Sequence, residues 1–155
     1  MKSKTLLALL AVTLAGTASA QMKVEEAIKF RQSGYVFMAW NMGKLKGMLV
    51  DNPASFNKDQ ALAAAKAIQG VANSGMGTLY VPGSDKGTGF FETRVKPELF
   101  TDKAGVAKVA KTFNIEANEL AQVAESGDAA AIKAQFGKLG AACKACHDDY
   151  KTKKD

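Results

Sequence analysis

Apolar side chains recur at three- and four-residue steps in four separate stretches of the chain, and each stretch ends at residues that stop a helix. In the first, Val24, Ile28, Tyr35, Met38, Met42, Leu45 and Leu49 share one face, and Pro53 closes it. The second opens at Asn57, with Gln60 three residues on in a capping-box pattern, and runs to Gly75. The third follows Thr101-Asp102 and turns Val106, Val109, Ala110, Phe113, Ala117, Leu120, Ala121 and Ala124 inward. Ser126-Gly127 stops it. Asp128 then caps a fourth, whose inner stripe is Ile132, Phe136, Leu139, Cys143, His147 and Tyr150. A helix with one apolar stripe must bury it against neighbours. Two joins are short and one, residues 75–100, is long. The pattern predicts an all-α protein, an antiparallel four-helix bundle with one long loop between the second and third helices. That loop is rich in glycine but carries Leu79, Tyr80, Phe90, Phe91, Leu99 and Phe100, so it is expected to pack against something.

Ahead of the first helix stands MKSKTLLALLAVTLAGTASA. Lys2 and Lys4 give a basic start, Leu6 to Leu14 an apolar run, and Ala18-Ser19-Ala20 a small-residue cleavage pattern. Residues 1–20 therefore read as a cleaved secretory signal peptide rather than a buried N-terminal helix, and residues 21–155 as a single exported, periplasmic domain. No second long apolar run follows, so no membrane insertion is expected after cleavage. The formal net charge of +6 includes the two leader lysines, and Lys144, Lys151, Lys153 and Lys154 gather near the C-terminus. That balance reads as a solvated surface able to steer an acidic partner, with no nucleic-acid footprint.

The chain has two cysteines and one histidine, and all three fall in CKACH, residues 143–147. Zinc would need four ligands, and no further Cys or His remains to complete such a set. A thioredoxin-like dithiol expects a strand-helix context, and a structural disulfide needs no histidine. Covalent haem attachment uses all three residues. Cysteines three apart sit about one helical turn from each other, close enough to add across the two vinyl groups of one porphyrin. His147, four residues from Cys143, then projects under the same ring and can reach the iron. No second histidine exists for the other face, and no methionine follows the motif; Met22, Met38, Met42, Met48 and Met76 all precede it. Met38 and Met42 stand at core spacing.

With its helices reading AIKFRQSGYVFMAW and FGKLGAACKACHDDYK, and its loop ending KPELF, the chain resembles the cytochrome c′ family over the whole of residues 21–155. The resemblance implies one covalently attached haem c, with thioether bonds to Cys143 and Cys146 and His147 as the proximal iron ligand. It also implies that Arg31 and Gln32 approach the haem edge and propionates, and that Tyr35 covers the distal face without ligating. Glu92, Thr93 and Arg94 become candidates on the propionate side, and Tyr80 an aromatic near the ring. Lys151 stands where the family usually has arginine, so the charge beside the proximal imidazole persists without the planar fork.

Independently of that likeness, Arg31 lies on an apolar stripe between Ile28 and Tyr35, where a buried charge needs a partner such as a propionate. The expected function is a high-spin, five-coordinate haem protein that binds diatomic gases such as nitric oxide or carbon monoxide and exchanges electrons with a periplasmic redox partner. The alternative is a low-spin electron carrier with Met38 on the iron. Peroxidase-like catalysis wants a distal histidine, which the chain lacks, so no enzyme is expected. Phe30, Phe37 and Trp40, on the far side of the first helix, predict a homodimer.

Overall fold

The structure, a computed structural model, describes residues 22–153; the expected signal peptide, residues 1–20, lies outside them. Its elements are α1 (Val24–Lys46), α2 (Lys58–Ala72), a single helical turn α3 (Glu98–Thr101), α4 (Lys103–Ser126) and α5 (Ala129–Tyr150). Beyond Lys46 the first helix widens into a π turn over Gly47–Asp51, and Pro53 begins a short 3-10 turn that leads into α2.

Local chemistry sets the helix ends. The Asn57 side chain accepts from the Gln60 N–H at 2.9 Å, Asp102 from the Gly105 N–H at 2.9 Å, and Asp128 from the Ala130 N–H at 2.9 Å. Each satisfies a donor that the first helical turn leaves open. Gly127 closes α4 at φ +73°, a left-handed conformation that a side chain would oppose.

The helices run up and down. Lys66 meets Glu125 at 3.3 Å, Gln69 meets Asn118 at 3.0 Å and Asn73 meets Asn114 at 2.9 Å, an antiparallel register for α2 and α4. Asp102 at the start of α4 meets Tyr150 at the end of α5 at 2.5 Å, so that pair is antiparallel too. Among the described residues there is no strand, only isolated bridges between Thr88 and Glu92 and between Val95 and Lys151. No helix there is long and apolar enough to cross a membrane.

The core is lopsided. Leu45, Leu49, Ile68, Leu120, Ile132 and Leu139 are buried beside Ala61, Ala64, Ala65, Ala117, Ala121 and Ala124. All lie toward the end where α1 turns into α2 and α4 into α5. Each Leu or Ile contributes about 1.5–3 kcal/mol of burial there, and the alanines let the helices approach closely. Toward the other end Ile28 and Tyr150 stay buried, but the rest of the predicted inward stripes is less covered. Val106, Val109 and Phe113 are half-buried, and Ala110, Tyr35 and His147 are exposed. Ala110 thus departs from the expected core face, because periodicity names a face and not the depth of what covers it. The long loop crosses this open end.

Candidate haem-binding site

The last two turns of α5 carry the three residues that most define the site. Cys143 is half-buried against the core, Cys146 is half-buried, and both thiols are free. Burial pushes both above the ordinary thiol value; for Cys146 the Asp149 carboxylate adds to it. His147 is held below the ordinary imidazole value by burial and then by Lys151 and Arg94, which favours the neutral form that ligates iron. Asp148 is drawn away by Lys144 at 2.5 Å, a bond that keeps its carboxyl below the usual range. A recess of about 540 Å³ opens beside the imidazole, lined by Arg94, Lys96, His147, Asp148, Lys151, Thr152 and Lys153. Lys151 is itself lowered by burial and then by Arg94.

The loop fixes this helix end. Lys96 donates its backbone N–H to Tyr150 O at 3.0 Å, and its ammonium to the carbonyls of Asp148 and Asp149 at 3.0 Å each. The Thr152 N–H donates to Arg94 O at 2.9 Å. A cation on the last carbonyls of a helix satisfies acceptors that have no partner within the helix and complements its dipole. The orientation of His147 therefore depends on residues about fifty positions earlier.

On α1, Arg31 and Gln32 face the same loop. Arg31 is 2% exposed and donates to Ser84 Oγ at 2.7 Å, Thr93 Oγ1 at 2.8 Å and Leu79 O at 3.3 Å, and to the Ser84 carbonyl. The sequence argument gives this inward arginine a propionate as partner; in the structure the chain's own loop pairs it, so burial alone does not require one. Gln32 donates to Phe91 O at 2.8 Å and accepts from the Phe90 N–H at 2.8 Å. Gly89 sits so close that a Cβ would reach Ile28 Cγ2 at 2.9 Å and the Lys29 N at 3.0 Å, besides meeting the Gln32 amide oxygen. Thr93 is part of the arginine clamp, Arg94 lines the His147 recess, and Glu92 is exposed on the loop surface.

Tyr35 and Tyr80 meet. Their hydroxyls share a hydrogen bond of 2.8 Å, and the Arg31 guanidinium lies 4.8 Å from the centre of the Tyr80 ring. Burial raises the Tyr35 phenol well above its ordinary value, although 40% of the residue is exposed, and raises that of Tyr80 too. The charge of an ionised Cys146 would raise them further. Met38, one turn on, belongs to the buried core.

Sequence reasoning missed Ser84, fully buried after a Val81-Pro82-Gly83 turn whose glycine has φ +83°. The proline-glycine pair marks a turn, but nothing local says that the next serine receives an arginine. It also missed the link from Tyr150 to Asp102, and the amide ladder of Gln69, Asn73, Asn114 and Asn118.

These donors fit a haem better than a bare ion. Among the described residues no group of three His, Cys, Asp or Glu could hold a metal by itself. What the site offers is two free thiols one turn apart, one imidazole favoured neutral, and half-buried Val106, Val109 and Phe113 as apolar wall at the same end. The comparisons agree. The family model described as Cytochrome C′ matches residues 26–151. The cytochrome c′ of Rhodocyclus tenuis is 54% identical over 84% of this chain and 97% of the relative. That of Allochromatium vinosum is 49% identical over 97% of each. The solved structure of a cytochrome c′ with an unusual ligand-controlled dimer dissociation superposes with a TM-score of 0.81 at 51% identity, covering 86% of this chain and all of that one. The cytochrome c′ of Thermochromatium tepidum gives 0.80 at 49% identity, over 86% and 100%. The family is itself an example of the up-and-down four-helix bundle. The chain belongs to the cytochrome c′ family of haem c proteins, with two cysteines present for the covalent attachment.

Proposed function

We propose that this protein is exported by residues 1–20 to the periplasm, carries haem c on Cys143 and Cys146 with His147 as proximal ligand, and binds nitric oxide or carbon monoxide on the face covered by Tyr35. Haem held by these three residues would supply a high-spin, five-coordinate iron for binding a diatomic gas or for electron exchange. The observation that carries the reading is the α1 side chain between Arg31 and Met38: a tyrosine whose hydroxyl is bonded to Tyr80, with Met38 turned into the buried core. Its phenol is held far above neutral pH and so stays protonated, which makes it a poor ligand and a steric cover. Arg31, Gln32 and Thr93 secure the loop against α1, and Lys96 secures it against α5, so the two sides of the site keep a fixed separation. Arg31, Gln32, Glu92, Thr93 and Arg94 are offered as the propionate side, with Arg31 and Thr93 serving the loop as well. The single histidine is assigned to the iron, which leaves none for acid-base turnover; binding rather than catalysis is the proposed role.

The outer face of α1 supports a homodimer. Trp40 is 59% exposed and stacks with Phe37 at 5.8 Å between ring centroids, and Phe30 and Val36 are exposed beside them. Since α1 carries Tyr35 on one side and this face on the other, a ligand that displaces Tyr35 would also act on the dimer, as in the solved relative with ligand-controlled dimer dissociation. The cationic recess of Arg94, Lys96, Lys151 and Lys153 suits an acidic redox partner. The deciding experiment is carbon monoxide binding to the ferrous protein. Tyr35→Ala should speed association by more than about tenfold, a barrier loss of about 1.4 kcal/mol. An unchanged rate would overturn the role given to Tyr35.

A further inference from the structure

We propose that Tyr80 is a positioning residue whose hydroxyl latches the Tyr35 ring in place, so that the crossing loop as well as α1 sets how readily a gas reaches the site. The inference rests on the reading of Tyr35 as the cover. It starts from where Tyr35 stands: its backbone belongs to the middle of α1, so the ring moves only by changing rotamer. A ring so placed can change rotamer unless something holds its far end. The one side-chain hydrogen bond of its hydroxyl is to Tyr80, at 2.8 Å across 45 positions of sequence.

A latch works only if it is itself anchored, and Tyr80 is anchored twice to α1. Arg31, one turn before Tyr35, lies 4.8 Å from the Tyr80 ring centre and donates to the carbonyl of Leu79, the residue just before Tyr80. Four residues before Tyr80, Met76 seats on Gly34, the residue preceding Tyr35; a Cβ there would stand 2.8 Å from the Met76 Sδ. Between Met76 and Leu79 the chain is a tight 3-10 turn, which transmits the anchor with little slack. Arg31, Gly34 and Tyr35 on one side and Met76, Leu79 and Tyr80 on the other thus form a closed set of contacts, with the shared hydroxyl bond at its free end. Opening the Tyr35 ring breaks that bond. A neutral hydrogen bond of this kind slows opening about fivefold.

The test uses the ferrous holoprotein in four forms: wild type, Tyr80→Phe, Tyr35→Phe, and the double variant. Each phenylalanine keeps the ring and removes one hydroxyl. Carbon monoxide association, followed by flash photolysis, should rise about fivefold in each single variant. The double variant should be no faster than either single one, because both remove the same bond. Ultraviolet resonance Raman of the tyrosines gives a second readout that loop loosening alone does not move. The difference between each background and its Tyr35→Phe counterpart isolates Tyr35, and its phenol hydrogen-bond signature should be lost when Tyr80 is Phe. Multiplying effects in the double variant, an unchanged rate in Tyr80→Phe, or an unchanged Tyr35 signature would each overturn the latch. Tyr35→Ala separates the two levels. If it accelerates binding while Tyr80→Phe does not, the cover stands and the latch falls; if it does not accelerate binding, both fall.

Discussion

Replacing Arg31 with Ala measures what the crossing loop owes to α1. The guanidinium makes three close contacts, to Ser84 Oγ, the Ser84 carbonyl and Thr93 Oγ1, and a longer one to Leu79 O at 3.3 Å. Hydrogen bonds with a charged partner contribute about 1.5–3 kcal/mol each, and deletion leaves buried acceptors without a donor. The bonds share one side chain and are not additive, so a total loss of about 3–4 kcal/mol is expected. For a domain of this size that corresponds to a fall in Tm of about 10 °C. Arg31→Lys keeps the charge but cannot span Ser84 and Thr93 with a planar fork, and should recover less than about half of the loss. The assay is thermal unfolding by far-ultraviolet circular dichroism, with hydrogen exchange of the residue 79–95 amides as the local readout. Loss of protection confined to that loop, together with the lower Tm, is the expected result. If Tm and loop protection both stay at wild-type values, the loop is held by something other than Arg31.

Three further outcomes follow from other contacts. Gly89→Ala forces a Cβ against Ile28, the Lys29 backbone and the Gln32 amide, and should lower unfolding stability by about 1–3 kcal/mol in a denaturant titration. The Tyr150 hydroxyl donates to Asp102 at 2.5 Å, which pushes the phenol up to about 12 and, with the Gly105 N–H, holds the carboxyl below its usual range. A raised phenol makes the bond's contribution complete below about pH 10 and lost as pH rises through about 12; the depressed carboxyl makes it complete above the ordinary carboxylate range and lost as pH falls through the depressed value. The stability gap between wild type and Tyr150→Phe should therefore close over the alkaline window, and a gap that is flat with pH would remove the bond from the account. Trp40→Glu should shift the protein toward monomer in sedimentation, and a wild-type monomer at micromolar concentration would show that the exposed face of α1 has another use.

Much of this architecture is legible in the sequence because it is local. Asn57, Asp102 and Asp128 cap helices through donors two or three residues away, and Gly127 ends one through its own backbone freedom. The haem motif is equally local, since one helical turn brings Cys143, Cys146 and His147 together. What sequence does not give is the partner of an inward polar group. Arg31 on an apolar stripe announces that a partner exists, but Ser84 and Thr93 stand 53 and 62 positions away in a loop with no periodicity. The same limit explains Ala110, whose place on a face is readable while its cover is not. Tyr35 meets the same limit: its place on the helix can be read, but its 40% exposure and its bond to Tyr80 are invisible until the loop is folded.

The most direct test is the optical spectrum of the ferrous protein, taken alone and then with carbon monoxide. A tyrosine-covered iron with no sixth ligand predicts a broad high-spin Soret band that sharpens when carbon monoxide is added. Sharp low-spin bands in the unliganded protein, unchanged by the gas, would mean that Met38 has left the core to ligate the iron, and would contradict the account.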